Sequence, residues 1–386
     1  TMDGSTGKVM LGEVPMIEPT LSDEFEILLN WANETKKLEV RANADTPEDA
    51  AKAREFGAEG IGLCRTEHMF MAQERLPIVQ EMILSENIGD REAALAKLLP
   101  IQRGDFYGIL KAMSPLPVCI RLLDPPLHEF LPSHDELMVE IIEMRHANAP
   151  IREIAEKEEL LKKVNKLHEA NPMLGHRGCR LGITYPEIYV MQVRAIFEAM
   201  VQLKQEGFKN FVEIEIPLVI DQAEFLLLRQ HILNAYEDIK QEKNIELDFA
   251  LGTMLELPRA CVMADEIAQQ AEFFSFGTND LTQTTLGFSR DDAEGKFIPV
   301  YLEKKIIKDN PFAVLDRKGV GALMRLAAEK ARKTRPEIIL GICGEHGGEP
   351  SSIEFCHLLG LNYVSCSPYR IPIARLAAAQ AAINNR

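Results

Sequence analysis

Short apolar segments alternate with longer amphipathic segments along the chain from Leu38 onward. The short segments have the length and composition of buried strands, whereas the long ones repeat their apolar residues at helical spacing. The pattern predicts eight strands, over residues 38–45, 60–65, 118–124, 175–180, 211–217, 249–256, 273–280 and 338–343.

Helices are predicted between these strands. Thr46, Pro47, Glu48 and Asp49 supply an N-cap, a proline at the first helical position and two first-turn acids, so a helix begins there. Others are predicted over 186–205, 221–240, 258–270, 317–334, 351–359 and 371–384, with a helical insertion at 135–170. The alternation predicts the α/β class and a (β/α)8 TIM barrel with helical insertions. A doubly wound open sheet is the alternative.

The chain before the barrel has a different pattern. Residues 1–14 predict turns and an edge strand, and residues 15–37 predict a linker helix, from about Leu21 to Asn33. The barrel itself is expected over residues 38–386.

Composition narrows the choice of partners and compartment. The formal net charge of −16 argues against a nucleic-acid or anionic-membrane surface, and no apolar run has the length of a membrane span. Seven cysteines without CxxC spacing favour free thiols in a reducing compartment over disulfides or a zinc site. We therefore expect a cytoplasmic protein, with an organelle as the alternative, that binds neither nucleic acid nor membrane.

Polar residues collect at the predicted strand ends, which share one rim in a barrel of this kind. They are Asn43, Asp45, Arg65, Arg121, Asp124, Arg177, Arg180, Glu215, Glu256, Asn279, Asp280, Cys343 and His346. A single arginine is more often a surface ion-pair partner. Several at one rim of an acidic protein favour an anionic substrate, because guanidinium groups match phosphate and carboxylate oxygens.

Two of these acids predict a metal site. Glu256 and Asp280 end adjacent strands, and carboxylate oxygens are ligands that Mg²⁺ prefers. The alternative is a pair of acids at the rim or at helix N-termini with no metal. The Gly277-Thr278-Asn279-Asp280 segment also suits anion binding through backbone N–H groups.

One cysteine stands apart from the other six. Cys343 lies in Gly341-Ile-Cys-Gly-Glu-His-Gly-Gly348, where glycines on both sides let a ligand approach. A thiol has an ordinary pKa of about 8.5, so with His346 nearby it can act as acid, base or nucleophile. The other cysteines are expected to be inert core residues.

Several segments closely resemble the pyruvate phosphate dikinase family of phosphoenolpyruvate-utilising enzymes. They are Leu63-Cys-Arg-Thr-Glu-His-Met-Phe70, Leu123-Asp-Pro-Pro-Leu-His-Glu-Phe130, Gly175-His-Arg-Gly-Cys-Arg180, Phe274-Ser-Phe-Gly-Thr-Asn-Asp-Leu-Thr-Gln283 and Gly341-Ile-Cys-Gly-Glu-His-Gly-Gly348. The resemblance covers essentially the whole chain but only about the C-terminal third of those enzymes. The Cys64–Phe70 and Pro125-Pro126 segments favour this family over phosphoenolpyruvate synthase and the first enzyme of the sugar phosphotransferase system.

The resemblance implies a phosphoenolpyruvate/pyruvate-binding barrel. In the family, a phosphohistidine on a swivelling domain passes its phosphoryl group to the enolate of pyruvate, and an ATP-binding domain supplies the phosphate. Residues 1–14 resemble the tail of that swivelling domain, and the rest of it is expected to be a partner of the barrel. The full enzyme converts ATP, pyruvate and phosphate to AMP, phosphoenolpyruvate and diphosphate, and the family forms homodimers.

The resemblance also implies roles for residues. The phosphoryl group would be clamped by Arg65 and Arg121, with Arg177 as a third clamp, and Mg²⁺ would be held by Glu256 and Asp280. The pyruvate carboxylate would be bound by the backbone and side chains of Gly277, Thr278 and Asn279. Arg290 would contribute to substrate binding from the loop after the seventh predicted strand. Cys343 would protonate and deprotonate the C3 carbon, oriented or tuned by His346 and Glu345; the implied catalytic set is Cys343, His346, Arg65 and Arg121.

The sequence departs from the family at Glu215. Relatives commonly carry Met there, whereas alternation along the strand places Glu215 on the face of Glu213 and Pro217. This group is expected either to be an additional carboxylate near the metal or, if it is buried and unpaired, to raise its own pKa or weaken phosphate binding. A catalytically silent dimerisation or regulatory barrel is the competing hypothesis for the whole chain, and the set of reactive residues at one rim argues against it.

Overall fold

Eight parallel strands close into a barrel in the computed structural model, which describes residues 1–3, 7–15 and 23–385. We number the barrel strands β1 Glu39–Asn43, β2 Ile61–Arg65, β3 Pro117–Arg121, β4 Phe211–Ile216, β5 Phe249–Leu255, β6 Phe273–Gly277, β7 Ile339–Cys343 and β8 Tyr363–Cys366. Each strand pairs with the next, and β8 pairs with β1 to complete the ring. The predicted barrel is confirmed, and the open sheet is excluded.

Two features of the predicted strand order are wrong. Residues 175–180 form no strand: they enter the short helix Cys179–Thr184 through Gly178, whose φ of +59° is incompatible with an extended segment. The eighth strand is instead Tyr363–Cys366, which the sequence analysis missed. Only four residues long, it lies between two helices, so its apolar alternation is too brief to detect.

Helices surround the barrel and separate consecutive strands. The α-helices are Asp23–Thr35, Pro47–Glu55, Thr66–Phe70, Leu76–Leu84, Ile88–Met113, His134–His146, Ile151–Leu167, Cys179–Thr184, Pro186–Gln205, Gln222–Lys243, Pro258–Val262, Ala264–Ile267, Thr278–Leu286, Arg290–Glu294, Ile298–Glu303, Val320–Thr334, Pro350–Leu358 and Ile371–Asn384. Short 3-10 helices are Leu127–Phe130, Pro172–Leu174, Glu345–Gly348 and Pro368–Arg370. The predicted insertion at 135–170 corresponds to the helices between Leu127 and Leu174.

The helix before the barrel packs on the last helix of the chain. Arg375 donates through Nε to Asn33 Oδ1 at 3.0 Å and through Nη2 to the Leu29 carbonyl at 3.3 Å. Residues 21 and 22 of the predicted helix lie outside the described residues. Met2–Asp3 and Lys8–Val9 pair as an antiparallel two-stranded sheet, consistent with the expected edge strand. The predicted domain boundaries stay predictions.

The barrel interior contains charged groups as well as apolar ones. Arg41 donates to Glu213 Oε2 at 2.7 Å, and its guanidinium lies 4.0 Å from the centre of the Tyr363 ring. Gly341 makes room for that ring, because a Cβ there would lie 2.0 Å from Tyr363 Cζ.

No helix in the described part of the chain is long and apolar enough to cross a membrane.

Candidate active site

A cavity of about 730 Å³ opens at the carboxyl ends of the barrel strands. Its lining includes nine of the residues proposed from the strand ends, which are Asn43, Arg65, Arg121, Asp124, Arg177, Glu256, Asn279, Asp280 and Cys343, and it also includes Thr278. Gly277 also lines the cavity, whereas Arg180, Arg290 and His346 are not part of its wall. The structure therefore brings most of the predicted site together.

Arg65 and Arg121 are paired in register at the ends of β2 and β3. Arg65 donates through its backbone N–H and its Nη2 to the two oxygens of Asp45, at 2.7 and 3.0 Å. Arg121 donates through Nη2 to Glu67 Oε1 at 2.5 Å. These carboxylates fix the directions of both guanidinium groups, and each retains N–H groups for an anion.

Asp124 connects Arg121 with Arg177. Its Oδ2 lies 3.0 Å from Arg121 Nη1 and 2.5 Å from Arg177 Nη2. Burial opposes ionisation of Asp124, but the two arginines outweigh it and lower the pKa of the carboxyl. Asp124 therefore stays charged and holds two guanidinium groups on one side of the cavity.

Arg177 reaches the cavity from a loop rather than from a strand. Gly178 follows it at φ +59°, and the Gly178 N–H donates to the Asp124 carbonyl at 2.8 Å. The guanidinium also lies 3.5 Å from both Asp280 oxygens. The loop therefore brings a third cation beside one of the two acids proposed to bind a metal.

Glu256 is a buried carboxylate with one unsatisfied oxygen. Its Oε1 accepts from the Leu218 N–H at 2.8 Å, whereas the buried Oε2 makes no hydrogen bond. Burial, with the negative charges of Asp280 and Asp124, raises the pKa of Glu256 well above its ordinary value. An unpaired carboxylate beside a second one is the arrangement that a bound cation would stabilise, so these residues fit Mg²⁺.

The described part of the chain contains no group of three or more His, Cys, Asp or Glu residues arranged for a metal ion. A site on Glu256 and Asp280 thus leaves most coordination positions to substrate oxygens and water, which is how Mg²⁺ is commonly held.

A helix begins at the cavity floor with Thr278, directly after β6. The first N–H groups of a helix have no partner within it, and they favour anions. Asn279 also has a buried Oδ1 without a hydrogen bond. The Thr278 hydroxyl already makes a hydrogen bond, to His346 Nδ1 at 2.7 Å. Thr278 can therefore contribute its backbone rather than its side chain.

Cys343 ends β7 beside Gly277, and it is 3% exposed. Its Sγ lies 3.6 Å from Ser275 Oγ and 3.8 Å from the Phe276 carbonyl. Burial raises the pKa of the thiol to about 12. The ordinary value near 8.5 therefore does not hold here: at neutral pH the group is a thiol, able to give a proton but a poor acceptor alone.

His346 is completely buried behind this surface. Because Nε2 lies 2.9 Å from the Pro311 carbonyl, it must donate, so Nδ1 accepts from the Thr278 hydroxyl. Burial lowers the pKa of the imidazole, so the ring is neutral. These contacts support a positioning role, and the expected orientation of Cys343 by His346 stays a prediction.

Arg290 and Glu345 pair with each other at the edge of the site, with Arg290 Nη2 3.0 Å from both Glu345 oxygens. Arg290 Nε also donates to Glu294 at 2.9 Å. Arg180 donates to the carbonyls of Leu174 and Gly175, which shapes the loop before it. Contributions of Arg290 and Glu345 to the reaction stay predictions.

Glu67 lines the cavity and contacts a proposed clamp, although the sequence pattern did not predict it as a site residue. It is 7% exposed and accepts from Arg121, and its second oxygen is buried without a partner. Its position two residues after Arg65 at the end of β2 was the available clue.

Comparison with known proteins shows which family the chain that contains this cavity resembles. The family model described as "PEP-utilising enzyme, PEP-binding domain" matches residues 20–383. A pyruvate, phosphate dikinase of Entamoeba histolytica is 58% identical over 100% of this chain and 44% of its own length. The enzyme of that name from Clostridium symbiosum is 52% identical over 100% of this chain and 43% of its own length.

A chloroplastic pyruvate, phosphate dikinase of Mesembryanthemum crystallinum is 55% identical over 98% of this chain and 39% of its own length. The chain thus spans less than half the length of these relatives. The family match extends over nearly all of it, barrel and cavity included. The chain belongs to the family of phosphoenolpyruvate-binding domains of phosphoenolpyruvate-utilising enzymes.

Proposed function

We propose that this barrel carries the phosphoenolpyruvate/pyruvate half-reaction of a pyruvate, phosphate dikinase. In that half-reaction, pyruvate loses a C3 proton and its enolate oxygen takes a phosphoryl group from a phosphohistidine. The observation that carries the proposal is a cavity whose lining combines three guanidinium groups, one thiol, and the two carboxyl groups of Glu256 and Asp280. The identity of the relatives supports the choice of reaction.

The arginines suit the transferring phosphoryl group. A guanidinium group carries a fixed positive charge. The carboxylate partners of Arg65, Arg121 and Arg177 hold these groups in place without covering all of their N–H groups. Positive charge fixed before the reaction stabilises negative charge that develops on phosphoryl oxygens, which is worth several kcal/mol in a site of this kind.

Mg²⁺ would be held by Glu256 and Asp280. When bound, it would supply positive charge that stabilises the enolate form of pyruvate. The N–H groups at the start of the Thr278–Leu286 helix and the Asn279 side chain would bind the pyruvate carboxylate.

Cys343 suits the proton transfer at C3. In the direction of pyruvate formation, its S–H bond breaks and the proton forms the new C–H bond of the methyl group. The buried thiol is protonated at neutral pH, as this step requires. The reverse step needs the thiolate as the base, and the raised pKa of Cys343 leaves very little thiolate at neutral pH.

The phosphohistidine and the ATP-dependent steps of the reaction are not assigned to residues of this barrel. We propose that a phosphohistidine on another domain of a longer protein approaches the cavity, that ATP and phosphate supply its phosphoryl group, and that two such proteins form a homodimer. The length of the relatives supports the further domains. Cytoplasmic or organellar location stays a prediction; two of the relatives are named chloroplastic.

Calorimetry of phosphoenolpyruvate binding to this chain, with and without Mg²⁺, tests the proposal. We expect Mg²⁺-dependent binding that a Glu256→Ala/Asp280→Ala double variant loses. The matched control is Glu129→Gln, an acid at the cavity rim that we assign no ligand. Equal binding by the double variant and the wild type would refute the metal assignment, and no binding by the wild type at millimolar ligand would refute a preformed site.

A further inference from the structure

Glu215 lies inside the barrel without a partner for its carboxyl group. It is 0% exposed, and neither of its oxygens makes a hydrogen bond. It stands in register with Arg121 on β3 and with Gly252 on β5. The proposed reaction assigns it no role, although leaving a buried acid unsatisfied costs on the order of 1–3 kcal/mol.

Ser275 connects this acid to the reacting thiol. Its hydroxyl lies 3.6 Å from Cys343 Sγ. The same hydroxyl lies close enough to Glu215 to favour its ionised form, although neither carboxyl oxygen reaches full hydrogen-bond geometry. A serine hydroxyl both donates and accepts and rotates freely, so Ser275 can pass a proton between the thiol and the carboxyl group.

We propose that Glu215 is a positioning residue that exchanges a proton with Cys343 through the Ser275 hydroxyl. The inference rests on the proposed function, because it assigns the second half of the proton path at C3.

In the direction of phosphoenolpyruvate formation, protons move in sequence and one reaches Glu215. The C3–H bond of pyruvate breaks and its proton forms a new S–H bond, as the thiol gives its own proton to Ser275 Oγ. The hydroxyl proton of Ser275 passes to the Glu215 carboxylate. In the other direction each proton moves back, and Glu215 returns to the carboxylate. No oxidant, reductant or further reactant is needed.

The pKa values of Glu215 and Cys343 favour Glu215, rather than the thiol alone, as the final acceptor of the C3 proton. Burial, opposed by Arg121, raises the pKa of Glu215 to about 8, whereas the pKa of Cys343 is raised to about 12. An acceptor that titrates near neutral pH is better suited to general base catalysis than one that titrates four units higher. The titratable and charged groups around Glu215 are Arg121, Glu213, Asp124, Cys119, Cys343 and Tyr363.

The first test measures coupling between the two groups without relying on the reaction. The rate of Cys343 alkylation by iodoacetamide is followed against pH, by mass spectrometry of the peptide that contains Cys343. Ionisation of Glu215 raises the pKa of the thiol, so the wild-type profile should bend to a lower slope near pH 8. Glu215→Gln and Glu215→Met should remove the bend, and Glu129→Gln should keep it.

The second test measures the path itself. Exchange of the pyruvate methyl protons with D2O is followed by NMR in the presence of Mg²⁺. Both Glu215 variants should lower the exchange rate about 10-fold or more and remove its inflection near pH 8, with pyruvate binding retained. Ser275→Ala should lower the exchange rate as strongly but keep the bend in the alkylation profile, since it interrupts the path and leaves both charges.

The outcomes separate this proposal from the proposed function. A bend that persists in both Glu215 variants, or is absent from the wild type, overturns the coupling. Exchange that Cys343→Ala abolishes but Glu215→Gln and Ser275→Ala leave unchanged overturns the path, while the proposed function stands. If the wild-type chain exchanges no pyruvate protons, the proposed function fails, and the alkylation profile still decides whether Glu215 and Cys343 are coupled.

Discussion

Leu218 donates its backbone N–H to Glu256 Oε1 at 2.8 Å, and it does so from a left-handed backbone conformation with φ of +60°. A bulky residue at positive φ is strained by about 1–3 kcal/mol. The side chain of Leu218 packs against Gly178, which follows Arg177. One strained residue after β4 therefore positions both a proposed metal ligand and the loop that carries a proposed phosphoryl clamp.

Gly178→Ala should disturb this arrangement. An added Cβ would lie 2.9 Å from Leu218 Cδ1 and 3.1 Å from Asp124 Oδ1, at a φ of +59° that alanine disfavours. We expect weaker phosphoenolpyruvate binding and a loss of about 1–3 kcal/mol in unfolding free energy, measured by calorimetry and urea unfolding. Gly207→Ala is the matched control, since its φ is +88° but its Cβ would have no neighbour within 4 Å. Binding lost equally in both variants would contradict the packing argument.

Asp124→Asn should remove the ion pairs that Asp124 makes with both Arg121 and Arg177. The change removes the charge that Arg121 and Arg177 share, so we expect the unfolding free energy to fall by about 3–5 kcal/mol and phosphoenolpyruvate binding to weaken. Urea unfolding and calorimetry provide the two measurements. Glu242→Gln, which removes a surface partner of Arg194, should change neither. A variant with wild-type stability would show that the buried pairs contribute nothing to the fold.

Glu215→Met should stabilise the protein, and by more as the pH rises. The native pKa is raised from about 4.5 to about 8, so between these values the native state holds a proton that the unfolded chain has lost. Wild-type stability therefore falls across that interval, by on the order of a few kcal/mol in total. Urea unfolding of both proteins at about pH 5 and about pH 8 measures the difference. A stabilisation that does not grow with pH would argue against the buried neutral acid.

His346→Gln tests whether the histidine positions groups or transfers protons. Burial lowers the pKa of His346, so below about pH 6.5 the unfolded chain takes up a proton that the native ring resists, and stability is lost as pH falls. Glutamine can still donate to Pro311 and accept from Thr278. We expect less acid sensitivity in urea unfolding and continued exchange of pyruvate methyl protons. Loss of that exchange in a folded variant would instead support proton transfer by His346.

The barrel and the collection of polar residues at one rim were predictable because they depend on local patterns. Seven of the strands alternate with long amphipathic helices, and the polar residues that end them share a rim once the barrel closes. The pairing of Arg121 with Glu67 and the sharing of Asp124 were not predictable, because each depends on side-chain directions at the ends of separate strands.

The wrong prediction of a strand at residues 175–180 also has a physical cause. Gly175-His-Arg-Gly-Cys-Arg180 supplies a site arginine, as a strand end would, but Gly178 turns the backbone there. Likewise, the sequence could not show that burial holds Cys343 as a thiol, because a pKa depends on the surrounding packing rather than on neighbouring residues in the chain.

The central claim is that Cys343 transfers the C3 proton of pyruvate in this cavity. Its most direct test is Mg²⁺-dependent exchange of pyruvate methyl protons with D2O in Cys343→Ala, beside Cys356→Ala, which removes an equally buried thiol from the helix Pro350–Leu358. We expect Cys343→Ala to lose the exchange while it still binds phosphoenolpyruvate with Mg²⁺, and Cys356→Ala to retain both. Exchange by Cys343→Ala at the wild-type rate would contradict the account.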